Sequence, residues 1–176
     1  MPTDIELVRK ARHGDLGAFH GLVDRHASYL FGLAVSLLGH EADAEDAVQE
    51  TLAGAYRGLG GFGERSSVKT WLTRILVRQA ARQFRRRASR GKVIRLESAR
   101  SPEVAGATQS ADVRMDVQRA ILDLADEHRE VIVLREMQGL TYDEIAESLD
   151  VPRGTVESRL HRARRELARM LREYRI

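Results

Sequence analysis

Apolar residues recur along this chain at helical intervals, and nowhere do they keep the strict alternation of a half-buried strand. Thr3 and Glu6 have the spacing of a capping box and predict a first helix to about Arg12. Asp15 can cap a second, in which Phe19, Leu22, Val23, His26, Leu30 and Leu33 recur as far as Gly39. Asp43 can cap a third, with Ala44, Val48, Leu52 and Ala55 as its apolar stripe. The run from Gly58 to Gly63 (GLGGFG) then breaks the chain. Ser66 or Ser67 starts a fourth helix through Val68, Leu72, Ile75, Leu76 and Phe84 to Arg85-Arg86-Arg87. From about Ser89 to Ala111 the residues are small and polar with no sustained period, which is the composition of a flexible tether. Beyond it, Val113, Val117, Ile121 and Leu124 predict a helix over about 112–124, and another spans about 126–138 and stops at Gly139. Thr141 and Glu144 repeat the capping-box spacing for a helix to Leu149. Asp150-Val151-Pro152 is a turn before a long Arg-rich helix from about Arg153. The pattern predicts an all-α chain of two small helical domains, 1–88 and 112–176, joined by a flexible linker at 89–111.

Charge sharpens this division. Residues 1–64 carry 5 basic and 10 acidic side chains, and residues 65–95 carry 11 basic and none acidic. Residues 96–152 carry 5 basic and 13 acidic, and residues 153–176 carry 8 and 3. A protein needing only solubility would mix its signs, so two basic blocks imply two polyanion contacts and two acidic blocks imply other partners. Of the 29 basic residues 26 are Arg, whose planar fork suits phosphate and guanine. A GC-rich genome would give the same ratio, so the ratio alone settles nothing.

The sharpest local signal is TYDEIAESLDVPRGTVESRLHRARREL, which predicts a helix-turn-helix between Thr141 and Arg165. Ala146 is the small residue that lets two helices cross closely. Asp150 stands at the turn position that favours a left-handed backbone. Val156 points back at the first helix, with Ile145, Leu149 and Leu160 completing a small core, and Pro152 suits the opening of the second helix. The N-terminal half of that second helix would enter the major groove. Arg153, Thr155, Glu157, Ser158, His161 and Arg162 are the candidate base readers, with Glu157 suited to cytosine N4. Arg159, Arg164 and Arg165 are candidates for phosphate contacts.

The C-terminal segment from Leu122 through this helix-turn-helix closely resembles region 4 of the extracytoplasmic-function (group IV) sigma factors. Independently, LLGHEADAEDAVQETLAGAYRGLGGF and SSVKTWLTRILVRQAARQFRRR resemble their region 2. The two matches come in the right order and cover nearly the whole chain. The resemblance implies a promoter-recognition subunit that binds core RNA polymerase and promoter DNA and is held by an anti-sigma factor. It places core-polymerase docking on Asp43, Glu45, Asp46, Gln49 and Glu50, an acidic face suited to basic partner side chains. It places capture of the opened −10 strand on Lys69, Arg74, Arg78, Arg82 and Arg85, and a pocket for a flipped base on the loop from Gly60 to Ser67. The −35 surface falls on Arg153, Thr155, Glu157, Ser158, Arg159, His161, Arg162 and Arg165. Two positions depart from the family pattern. Asp126 stands where Pro is common, and is expected to cap the helix that follows. Glu157 stands where a basic or another polar residue is frequent, which shifts the expected −35 readout.

Other chemistry finds little support. The spacing of Trp71 with Val68, Leu72 and Ile75 favours a core role over a stacking platform for bases. No strand precedes GLGGFG and no GK[ST] follows it, so a nucleotide site is not expected. The histidines (His13, His20, His26, His40, His128 and His161) show no ligand spacing, and there is no cysteine. No cofactor, metal or catalytic centre is therefore expected, and no apolar run or leader pattern predicts membrane insertion or export from the cytoplasm. The competing reading is a stand-alone helix-turn-helix regulator that binds duplex operators as a dimer.

Overall fold

The computed structural model of the chain describes residues 1–89 and 109–173, and its described residues form helices with no strand. In chain order these are α1 (Asp4–Arg12), α2 (Leu16–Leu38), α3 (Glu41–Gly58), α4 (Val68–Ser89), α5 (Gln109–Asp123), α6 (Asp126–Ile132), α7 (Tyr142–Leu149) and α8 (Arg153–Glu173). A single 3-10 turn, Leu59–Gly61, follows α3, and α6 runs on into a π-helical turn, Val133–Met137.

Most boundaries follow from local chemistry. Thr3 and Glu6 form the expected capping box on α1, and Asp15 accepts from the Ala18 amide at the start of α2. Gly39 closes α2 with φ 72°, a conformation in which glycine carries no Cβ penalty. A second constraint acts there, because a Cβ at Gly39 would collide with the Leu122 side chain of α5. Ser67 accepts from the Thr70 amide and so caps α4.

Three expectations need correction. Asp43 does not cap α3. With α2 closed at Gly39, helix α3 starts at Glu41 behind His40, which makes no side-chain cap, and Asp43 lies inside the first turn. Asp126 does not cap α6 either. It occupies the first helical position behind Ala125, and its carboxylate pairs instead with Arg129 one turn on. Helix α5 begins at Gln109, inside the expected tether, while residues 90–108 of that tether lie outside the described residues.

The two halves share one continuous core, which runs from Leu7 and Val8 of α1 to Leu160 and Ala163 of α8. In the N-terminal half, α2, α3 and α4 pack side by side around Leu30, Leu33 and Leu76. In the C-terminal half, α6, α7 and α8 close over Ile132, Leu134, Ile145, Val156 and Leu160. The halves meet where α4 lies along α7 and where the end of α2 meets α5 and the π-helical turn.

Arg129 ties this junction together. It is 3% exposed and donates to the carbonyl oxygens of Leu122 (2.6 Å) and Leu124 (3.4 Å) and to Asp126. Its guanidinium carbon sits 4.0 Å from the centre of the Phe84 ring of α4. Removing the cation takes that donor from the Leu122 and Leu124 carbonyls and leaves a hole where a buried side chain stood. Arg129→Ala should therefore cost about 2–4 kcal/mol of stability in urea unfolding. A loss under about 0.5 kcal/mol, the range of ordinary surface changes, would contradict this role.

Candidate nucleic-acid and polymerase interfaces

The helix-turn-helix forms as its residues require. Thr141 accepts from the Glu144 amide (3.3 Å), and Glu144 accepts from the Thr141 amide (2.8 Å). Asp150 takes φ 58° and ψ 48°, and the Val151 amide returns to the Ala146 carbonyl at 3.1 Å. Val156, Leu160 and Ala163 are buried against Ile145 and α6. That fixes the rotation of α8 and leaves Arg153, Glu157, Ser158, His161, Arg162 and Arg165 exposed along it.

Thr155 and Arg159 are half-buried on the flank of this row, and Arg159 turns to Glu127 of α6 at 2.9 Å. Arg164 pairs with Glu136 at 2.6 Å. Glu157 is not a free acceptor in this conformer. It receives the Arg153 Nε at 3.1 Å, while Arg153 Nη1 reaches Asp143 of α7 at 3.0 Å. The sequence pattern could not show Asp143 in this cluster, because the contact depends on how α7 and α8 cross.

Of the basic side chains of α4, Lys69, Arg78, Arg82 and Arg85 are exposed and Arg74 is half-buried. The Lys69 ammonium lies 4.3 Å from the Tyr29 ring centre. Arg74 donates from Nε (3.0 Å) and Nη2 (2.6 Å) to the Glu147 carbonyl, at the end of α7. Asp150 lies 3.8 Å from Arg74 and 3.5 Å from Arg78. Arg78, Arg82 and Arg85 continue along a groove of about 490 Å³ whose other wall includes Leu149, Ser148 and Glu130. The same stripe that sequence and resemblance point to for the opened strand thus faces the helix-turn-helix.

Around the turn after α3, Leu59 and Phe62 are buried, and the Phe62 ring lies 4.9 Å from Trp71. Trp71 is therefore half-buried core, not an open stacking surface. Arg12 and Arg9 of α1 reach across to Glu64, whose φ is 56°. Nothing in the spacing of the sequence singled out this trio.

On α3, Glu45, Asp46, Gln49 and Glu50 are exposed, and Asp43 is half-buried. Asp46, Gln49 and Glu50 form one wall of a second groove, of about 410 Å³, with Arg82, Gln83 and Arg86 of α4 opposite. Acidic and basic surfaces therefore abut at Arg82. Among the described residues, no His, Asp and Glu cluster could hold a metal ion.

Comparison with known proteins gives consistent results. The family model "Sigma-70 region 2" matches residues 22–90, and "Sigma-70, region 4" matches residues 114–167. The chain is 37% identical over 169 residues to the ECF RNA polymerase sigma factor SigM of Mycobacterium tuberculosis, covering 96% of this chain and 85% of that protein. It resembles the solved structure of CnrH in complex with the cytosolic domain of CnrY. The TM-score is 0.72 and the identity 28%, over 95% of this chain and 96% of that one. It also resembles the sigma factor RpoE bound to the anti-sigma factor NepR from Bartonella quintana. There the TM-score is 0.69 and the identity 30%, over 88% and 96% of the two chains.

One ionisable group in the α4 groove has a measurable consequence. Burial pushes the Glu130 carboxyl up to about 7, and the nearby Asp126 charge adds to the rise. The folded chain therefore holds a proton on Glu130 that the unfolded chain loses near pH 4.5. Stability from this group is full at low pH and declines as pH rises toward 7. Glu130→Gln should flatten that decline, and at about pH 8 it should be about 1–3 kcal/mol more stable than the parent. Parallel pH profiles for the two proteins in urea unfolding would count against the assignment.

Proposed function

We propose, from the premise that the chain belongs to the extracytoplasmic-function group of sigma-70 RNA polymerase sigma factors, that it binds core polymerase, directs it to a specific promoter set and is controlled by an anti-sigma factor. One observation carries the reading. Region 2 and region 4 matches occur in order on one chain, and each falls on a half whose exposed side chains suit its task. Residues 1–89 form the unit for core docking and −10 melting, and the chain from Gln109 onward the unit for −35 recognition, with the stretch between them as the linker.

Within that division, Asp43, Glu45, Asp46, Gln49 and Glu50 offer core polymerase an acidic helix face. Lys69, Arg74, Arg78, Arg82 and Arg85 hold the backbone of the opened strand. Arg153, Glu157, Ser158, His161 and Arg162 meet base edges of the −35 duplex, while Arg165 meets phosphate. Thr155 and Arg159 stand at the flank of that row, where Arg159 must leave Glu127 before it can reach DNA. The chemistry of RNA synthesis belongs to the polymerase, and the chain works where polymerase does, in the cytoplasm. No described helix is long and apolar enough to cross a membrane.

The contact of α4 with the helix-turn-helix adds a step to this reading. While Arg74 is bound to the Glu147 carbonyl, single-stranded DNA cannot use that guanidinium group, and Asp150 competes with phosphate for Arg78. The halves must part for Arg74 to join the −10 surface, so the free chain binds promoter DNA poorly. An anti-sigma factor that favours the closed pairing would hold the chain inactive. Both of the solved relatives described above were captured with a protein partner.

The decisive experiment is run-off transcription with core polymerase over genomic promoter fragments, where a defined set of promoter-specific transcripts is expected. Tight, dimeric binding to duplex operators without polymerase, and no transcript with it, would favour the stand-alone regulator. Glu157→Arg should change the preference at one or two −35 base pairs by about 5-fold to 100-fold, with core affinity unchanged. An unaltered −35 profile would mean that the reading face lies elsewhere on α8.

A further inference from the structure

The loop between α3 and α4 has an unusual support. It contains Gly60, Gly61 and Gly63, all exposed, and a Cβ at Gly60 or Gly61 would meet nothing within 4 Å. Ordering such a glycine-rich backbone costs more entropy than ordering other residues. A pocket that distinguishes one base from another must nonetheless be preorganised, because discrimination is lost when the walls yield.

The restraint comes from α1. Arg12 donates from Nε to the Leu59 carbonyl at 2.8 Å and from Nη2 to the Phe62 carbonyl, so it spans the glycine turn from end to end. Its Nη1 reaches Glu64 Oε1 at 3.3 Å. Arg9 grips the same carboxylate from the other side, with Nη2 at 2.6 Å and Nε at 3.2 Å. The Arg12 and Glu64 side chains are each only 25% exposed, so this is not an ordinary surface pair. All three guanidinium nitrogens of Arg12 are used within the chain, which removes it as a phosphate ligand.

Glu64 itself sits at φ 56°, where a side chain other than Gly, Asn or Asp is uncommon. A residue stays in that region only when its surroundings over-determine it. Here the two arginines do so from outside, while Leu59 and Phe62 anchor the turn from inside. Helix α1 lies outside residues 22–90, the stretch that matches region 2.

We propose that α1 is part of the −10 reader: Arg12, Arg9 and Glu64 are positioning residues that fix the Gly60–Ser67 loop in the shape that receives the flipped base. None of the three touches DNA; they act through the glycine backbone they hold. This rests on the reading of that loop as the base pocket, and the test separates the two.

The test uses holoenzyme reconstituted from core polymerase and the full chain, transcribing a promoter library randomised through the −10 element. Glu64→Gly keeps the left-handed backbone and drops the carboxylate. Arg12→Lys keeps the charge and loses the fork. Each should leave the −35 preferences and total output within about threefold of the parent, while preference at a single −10 position falls by about fivefold or more. Amide hydrogen exchange over residues 59–66 should quicken in both variants. Gly60→Val, which alters the pocket wall directly, is the control for the loop.

If Gly60→Val changes the −10 profile and Glu64→Gly and Arg12→Lys do not, the positioning role is wrong and the loop reading stands. A uniform loss at every promoter position would also overturn it, because that is what simple destabilisation produces. If Gly60→Val leaves the profile unchanged as well, the loop is not the base pocket. Should Arg12→Lys fail to fold, Glu64→Gln decides the question, since it preserves both Arg12 bonds to the backbone carbonyls.

Discussion

The arginine stripe of α4 lies against the acidic end of α7, and the rest of the arrangement follows from that contact. One side of α4 is core, with Val68, Leu72, Leu76, Val77 and Ala80 buried. The other side gathers Arg74, Arg78, Arg82 and Arg85 within a segment that has no acidic residue of its own. Like charges at helical spacing repel one another, and the stripe needs a counter-charge wherever water is partly excluded. In this conformer the counter-charge is internal, supplied by the Glu147 carbonyl at a helix C-terminus and by the Asp150 carboxylate. Asp150, from the acidic block at 96–152, is therefore a counterion for Arg74 and Arg78 of the basic block at 65–95. DNA would compete for the same guanidinium groups.

Asp150 shows how one residue serves two constraints. The turn between α7 and α8 demands a left-handed backbone, which Gly would adopt with less strain. Aspartate accepts that conformation at modest cost and brings a carboxylate to Arg74 and Arg78. The exposed ion pairs are individually weak. Their value lies in being reversible, because a contact worth little in free energy can be exchanged for phosphate without a large barrier. Arg129 is the opposite case. Buried at the base of α6 and bonded through both terminal nitrogens, it holds the junction near Phe84, and nothing about it suggests release.

Much of this was legible in the sequence. Both capping boxes, the Gly39 and Gly139 stops, and the core positions Ile145, Val156 and Leu160 follow from rules that act within a few residues, and the structure agrees with them. The rules failed where a neighbour in space decided the matter. Asp43 has the look of a cap, but α3 starts directly behind the Gly39 stop, at Glu41, and takes Asp43 into its first turn. Asp126 could cap α6, yet Arg129 offers it a stronger partner one turn on. The charge blocks marked α4 as a polyanion surface, but could not show that it faces α7. The trio Arg9, Arg12 and Glu64 was invisible for the same reason, since Glu64 lies 55 and 52 residues from the two arginines and meets them only once α1 folds onto the turn. Glu157 takes Arg153 of its own helix, one turn back, as a partner, and the crossing of α7 with α8 adds Asp143 to that pair.

On the proposed reading, the free chain is closed by its own helix-turn-helix and opens when α4 is put to use. The chain contains no cysteine, so a pair of spin labels can be placed without background sites. Asp24 of α2 and Ala168 of α8 are exposed, and lie one in each half. Electron–electron distance measurement on Asp24→Cys, Ala168→Cys should give a single narrow distance in the free protein and a longer one when core polymerase is bound. Asp150→Arg should broaden the free-state distribution toward the longer distance. A free protein that already shows the broad or long distribution, unchanged by polymerase, would contradict the account.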